Sequence, residues 1–196
     1  SANDVISQKL KKNKICIAMK ADPKPLDPQK SIDTMSNKSI TLIYDTLLDL
    51  DENLNLKPNL AESWERLDDC NVVFHLKKGV KFHNGEELKA EDVKFTLERA
   101  KTLPKVAHLY SLIDNIEVVD DNTVKIHTSE PFAPLLAHLS HKTASIISKK
   151  YFEEKGEEGF HNPVGTGPYK YKDWKVGDRI TLEANDNYFG EKPSIK

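Results

Sequence analysis

Ile15, Ile17 and Met19 alternate with smaller or polar neighbours, the two-residue period of a strand, and the cluster Pro23, Pro25 and Pro28 then turns the chain into an extended loop. From Ser39 to Leu50 the period lengthens. Ile40, Ile43, Tyr44, Leu47 and Leu48 fall at helical spacing and predict a helix with one inward face. Asn71 to Leu76 is a short apolar run read as a strand, and Gly79 supplies a turn into Val80 to Phe82, so these two pieces are expected to form a hairpin. Beyond the Asn84-Gly85 turn, Val93, Leu97 and Ala100 line one face of a second helix. Glu91 and Asp92 sit in its first turn, where negative charge suits the helix dipole, and Pro104 ends it.

Ile116 to Val119 and Thr123 to His127 flank Asp120-Asp121-Asn122, a hairpin signature. Pro131 is expected to open a helix carrying Phe132, Leu135, Leu136 and Leu139 at i, i+3, i+4 and i+7, followed by a short charged helix over Lys149 to Gly156. Pro163 to Pro168 reads as irregular. Tyr169 to Trp174 and Arg179 to Glu183 read as a hairpin around Gly177-Asp178. Short strands in hairpins with helices between them give a mixed fold, α/β or α+β, and the pattern leaves both open.

The 196 residues suffice for one large or two small domains with a real core, and 38% hydrophobic against 31% charged residues predicts a folded chain with a heavily charged surface. The formal charge of −2 comes from basic and acidic residues interleaved along the chain. No basic stripe is present to neutralise phosphates, so nucleic acid is not an expected partner. No window approaches the ~20 consecutive apolar residues of a membrane-spanning helix, and no basic-then-apolar leader opens the sequence. Cys16 and Cys70 match no zinc or redox spacing and are read as two unpaired thiols, with a disulfide as the alternative in an oxidising compartment.

Catalytic and metal chemistry find no foothold. His138 and His141 stand at i, i+3, but no carboxylate or cysteine joins them at ligand spacing, so no metal site is expected; His75 and His83 are read as partly exposed strand residues. No G-x-S-x-G is present to hold a nucleophile. Gly165-Thr166-Gly167 lacks a following lysine and runs into a strand through Pro168 and Tyr169, so it reads as a structural turn and not a phosphate cradle. No pair of carboxylates shows the opposed environments that would separate an acid from a base. Neither catalysis nor a cofactor is expected, which leaves binding.

Two stretches carry a resemblance. The first holds Ala61-Glu62-x-Trp64, Phe74-x-Leu76, Gly79-Val80-x-Phe82-His83-x-Gly85 and Asp92-Val93-x-Phe95; the second holds Gly165-Thr166-Gly167-Pro168-Tyr169 and Asn185-x-x-Tyr188-x-Gly190-x-x-Pro193. The segment from Val119 to Leu139 and the early Leu26-Asp27-Pro28 are similar as well. Together they resemble the family 5 extracellular solute-binding proteins, the peptide-binding and nickel-binding receptors of ATP-driven importers. The resemblance implies an N-terminal portion of a two-lobed, periplasmic-binding-protein-like fold, with short mixed sheets and flanking helices. Residues 1–40 would begin the main ligand-facing lobe, 41–162 form a small outer domain of that lobe, and 163–196 return into it, the chain stopping before it crosses to the second lobe.

It further implies a receptor of oligopeptides or dipeptides, with a nickel chelate, another small solute or a peptide pheromone as the alternatives. Permease subunits of the importer would be its partners. It would be monomeric when intact and extracytoplasmic, either periplasmic or lipid-anchored. By the same resemblance, Ile32, Asp33 and Thr34 would offer backbone groups to the ligand and Tyr110 would lie at the cleft. Trp64, Gly79, Gly85, Asp92, Gly165, Thr166, Gly167 and Tyr188 would serve the fold, Trp64 by packing, the two turn glycines by backbone conformation and Asp92 from a first helical turn.

Overall fold

The computed structural model describes residues 14–19 and 22–191. The lysine-rich start and Pro193 lie outside them. Three antiparallel sheets organise the chain. Strands β1 (Lys14–Ala18), β8 (Tyr169–Lys175) and β9 (Arg179–Ala184) form one, in the order β1-β9-β8. Strands β2 (Leu48–Leu50) and β3 (Leu56–Pro58) pair as a short ribbon. The third sheet runs β4-β5-β7-β6, from β4 (Ala61–Asp68), β5 (Asn71–Leu76), β6 (Ile113–Asp120) and β7 (Thr123–Thr128). Helices α1 (Thr34–Ile43), α2 (Ala90–Thr102), α3 (Ala107–Tyr110), α4 (Leu135–His138) and α5 (Lys149–Lys155) lie between them.

Alternation and helical spacing translate into two separate cores. In β5 and β7 every second residue is buried, and Val72, Phe74, Leu76, Val124 and Ile126 meet the Val93, Leu97 and Ala100 face of α2. Trp64 stands opposite Phe74 across the β4–β5 pair and packs half-buried on this core. The second core gathers Ile15 and Ile17 of β1, Ile180 and Leu182 of β9, Ile40 and Ile43 of α1, and Ile147 and Phe160. Gly79 (φ +75°) and Gly85 (φ +91°) make the left-handed turns expected of them. Cys16, in β1, and Cys70, between β4 and β5, are free.

Three expectations need correction. The helix read over Ser39 to Leu50 instead spans Thr34–Ile43, because Asp33 caps its start by accepting from the Ser36 N–H (2.8 Å) and the 165–167 loop blocks its continuation. Leu47 and Leu48 then belong to the other core, so their helical spacing was coincidental. The hairpin of 71–76 with 80–82 does not form. Strand β5 is an inner strand held by β4 and β7, whereas Lys81 makes only an isolated bridge to Glu87. Strand β4 escapes a periodicity reading because, as an edge strand, it is exposed along most of its length. The helix expected from Pro131 shrinks to the single turn of α4. Pro134, which has no N–H to give, stands at its N-cap, although Leu135, Leu136 and Leu139 are buried as their spacing requires.

Candidate functional site

The two fingerprint stretches meet at the C-terminal end of α1. The Gly167 N–H donates to the Ile43 carbonyl at 2.8 Å, capping the helix from outside. Gly165 and Gly167 approach that helix end so closely that neither position has room for a Cβ. On the other side of the loop, His83 clamps it three times. Its backbone N–H donates to the Gly165 carbonyl (2.8 Å), its Nε2–H to the Gly167 carbonyl (2.9 Å), and its Nδ1 accepts from the Gly165 N–H (3.4 Å). Only a neutral imidazole both gives and takes in this way. His83 is thus a loop clamp and not the partly exposed strand residue expected from its surroundings in sequence.

Between the glycines, Thr166 donates its hydroxyl to Asp45 Oδ2 (2.9 Å), and the Tyr188 hydroxyl donates to Asp45 Oδ1 (2.9 Å). Burial pushes the Asp45 carboxyl up from its ordinary 3.8 to about 6, against the pull of these bonds. Burial pushes the His83 imidazole down from 6.5 to about 4. The two act in opposite senses. The contribution of Asp45 to stability is full below pH 3.8 and is lost as pH rises through about 6. That of His83 is full above pH 6.5 and is lost as pH falls through about 4. Each amounts to ~2–3 kcal/mol, so they largely offset one another. Asp45→Asn is therefore expected to leave a chain that loses stability on acidification from pH 6.5 to pH 4, whereas His83→Asn should leave one that gains over the same interval. Urea denaturation of both variants at the two pH values checks this, and parallel responses would refute the assignment.

Two further polar braces hold the early loop and the helices. Arg99 of α2 donates to both carboxylate oxygens of Asp27 (3.1 and 2.7 Å), to Gln29 Oε1 (2.6 Å) and to Glu157 (3.1 Å), with its guanidinium 5.1 Å from the ring centroids of Phe152 and Phe160. Asp92 accepts from the Lys89 N–H (2.9 Å) at the start of α2 and from the Lys149 N–H (2.9 Å) at the start of α5, so one carboxylate serves two helix N-termini. His138 donates from Nδ1 to the Leu109 carbonyl (2.9 Å), and His141 contacts Thr143 (2.9 Å). Among the described residues no group of three or more His, Cys, Asp or Glu side chains is placed to hold a metal ion.

The residues expected to face a ligand fall into two settings. Ile32 is 73% exposed, and Asp33 and Thr34 form the start of α1 beside it. Although burial works against its charge, the Ser36 N–H and the Lys24 ammonium hold the Asp33 carboxyl at about 2. Tyr110 is instead 1% exposed, a core residue whose hydroxyl meets Thr143 Oγ1 at 2.6 Å. A short 3-10 turn, Lys142–Ala144, joins the two settings, because Lys142 Nζ donates to the Ser31 carbonyl next to Ile32 while Thr143 holds Tyr110. Asp45, Arg99 and Lys142 were not singled out by sequence. The Asp at 45 is one charged residue in an apolar run, and nothing local marks it as the meeting point of the two fingerprints.

Comparison with known proteins agrees with this assembly of motifs. Residues 55–196 match the profile of the bacterial extracellular solute-binding proteins, family 5 Middle. The dipeptide-binding protein of Escherichia coli K12 is 37% identical over 164 residues, covering 70% of this chain and 31% of its own length. The ABC transporter-associated periplasmic binding protein DppA of Helicobacter pylori, solved with the peptide STSA, superposes with a TM-score of 0.76 at 33% identity, covering 88% of this chain and 39% of that one. The binding protein MoaA of A. tumefaciens R10, solved with mannopinic acid, gives a TM-score of 0.80 at 32% identity, covering 86% and 36%. The chain thus spans about a third of the length of these relatives. With the match extending over most of its residues and both fingerprints meeting at one junction, the chain belongs to the family 5 bacterial extracellular solute-binding proteins.

Proposed function

We propose that this chain is the first-lobe portion of an extracytoplasmic receptor that captures peptides for an ATP-driven importer and catalyses nothing. The observation that carries the reading is the match over residues 55–196 together with the relatives named for dipeptide and peptide binding. In the intact receptor an extended peptide lies between two lobes and bonds along its backbone as an added strand would, and lobe closure about a hinge buries it. Residues 1–40 and 163–196 contribute to the ligand-facing lobe and 41–162 to an outer domain, with Ile147 to Phe160 packing back onto the core of the former. Two separate hydrophobic clusters support a lobe built in two parts, with Ile43, Tyr44 and Phe95 also joining the core of the ligand-facing part. Permease subunits are the partners of the closed form.

A receptor for a small non-peptide solute is the second reading, favoured by the likeness to the mannopinic acid binder. Native mass spectrometry of the full-length protein as purified separates them: bound masses spaced by amino-acid residues establish the peptide receptor, and one discrete non-peptide mass establishes the other. The chain by itself presents one wall of a pocket that ordinarily encloses ~70–90% of a small ligand's surface. Calorimetric titration of the 196-residue chain with peptides is accordingly expected to show weak or no binding, and micromolar affinity would overturn the one-wall picture.

A further inference from the structure

The peptide between Ser31 and Ile32 has fixed neighbours on both sides and one grip of its own. Before it, the Ser31 N–H donates to the Asp27 carbonyl (2.8 Å) and the Ser31 hydroxyl to the Pro25 carbonyl (3.3 Å). After it, Asp33 caps α1 and pairs with Lys24 at 2.9 Å. A rigid peptide plane can still turn between two such anchors, by opposite changes of ψ at 31 and φ at 32. The Lys142 ammonium, which donates to the Ser31 carbonyl from 111 residues away in sequence, opposes that turn.

Lys142 is itself held fast. It opens the 3-10 turn Lys142–Ala144, whose end is tied by the Ser145 N–H to the Lys142 carbonyl (3.0 Å) and by the Ile146 N–H to the Asp45 carbonyl (2.9 Å). The buried Thr143 fixes the same turn to Tyr110 at 2.6 Å. Asp27 and Asp33 attract the charge of Lys142, but each has a closer cation of its own, Arg99 and Lys24. The direct bond of Lys142 therefore goes to a backbone carbonyl, a directional contact with a single acceptor.

Carbonyl and N–H of a trans peptide point in opposite directions, and the described residues contain no cis bond. With the Ser31 carbonyl drawn to Lys142, the Ile32 N–H points away from it, and no acceptor among the described residues takes that N–H. An unspent backbone donor thus stands at a residue that is 73% exposed. We propose, on the reading that residues 32–34 face the ligand, that Lys142 is a positioning residue: it fixes the direction of the Ser31–Ile32 peptide and so presents the Ile32 N–H to an acceptor on the solute.

Residual dipolar couplings of the isotopically labelled chain, aligned in dilute filamentous phage, read the direction of each N–H without any ligand. Lys142→Met is expected to shift the Ile32 coupling while those of α1 and β9 keep their parent values, and Lys142→Arg, which retains a charged donor, is expected to restore it. A lysine that only adds stability would leave the Ile32 direction unchanged, and that result would overturn the proposal. Calorimetric titration of the full-length protein with trialanine then tests whether the presented donor is used. Lys142→Met should weaken binding about fivefold, the value of one hydrogen bond, and Lys142→Arg should recover it. Equal affinity in parent and both variants would overturn the proposal and leave the peptide receptor standing. A parent protein that does not bind trialanine would count against the peptide reading instead, and the dipolar couplings alone would then decide for or against Lys142.

Discussion

Gly165→Ala and Gly167→Ala are each expected to cost the chain about 4 kcal/mol or more, the range in which single substitutions stop a domain of this size from folding. The added methyl carbon at 165 would stand 2.1 Å from the Ile43 carbonyl oxygen and 2.9 Å from Tyr44 Cδ1. At 167 it would stand 2.5 Å from the Leu42 carbonyl oxygen and 2.6 Å from that of Ile43. The obstacles are backbone atoms of a helix end, which cannot swing aside as a side chain can. Relief requires the loop to lift off α1, and lifting it breaks the Gly167–Ile43 bond and the His83 clamp and strips Thr166 from Asp45. Gly177→Ala is the matched control. Its φ of +68° is strained for alanine, but the added carbon meets nothing within 4 Å, so the cost is about 1–2 kcal/mol. Urea denaturation of the three variants tests the contrast, and a Gly165→Ala chain as stable as the Gly177→Ala chain would sink it.

Arg99→Ala is expected to cost about 3–5 kcal/mol, because it leaves the Asp27 carboxylate buried without its counter-ion. Asp27 is 1% exposed and Arg99 9%, so solvent screens neither. The guanidinium also satisfies Gln29, whose own amide holds the Thr96 carbonyl at 2.7 Å, so truncation loosens the early loop from α2 as well. Burying such a pair gains little over burying two apolar side chains of similar shape. Arg99→Met combined with Asp27→Leu should therefore recover most of the loss suffered by either change alone. A double-mutant cycle in urea measures the coupling. Additive single effects would show that the pair is not the unit described here.

Elements whose inward face is carried by alternating or helically spaced apolar residues could be read directly. The strands at 71–76 and 123–128 and the helix from Ala90 were legible because each packs one face on a core and wets the other. Strand β4 was not, since an edge strand with little buried surface has no such rhythm. The boundary of α1 was misplaced for a different reason: what stops the helix at Ile43 is a loop from the far end of the chain, and no local pattern encodes it. The candidate site divides in the same way. Fingerprint residues such as Thr166 and Tyr188 stood out by resemblance, whereas Asp45, the group they share, became visible only once the chain was folded. Asp33 was singled out for its backbone, and its side chain proves to cap α1.

The reach of these contacts bears on the order in which the protein can be completed. Asp45 waits 121 residues for Thr166 and 143 for Tyr188, and Cys16 in β1 meets Thr181 in β9 across 165 residues. Closing such long loops is entropically late and kinetically slow. A polypeptide released from its N-terminus first therefore carries an α1 open at its C-terminal end, an Asp45 without its hydroxyl partners and an unpaired first strand until the 165–188 segment arrives and seals all three together.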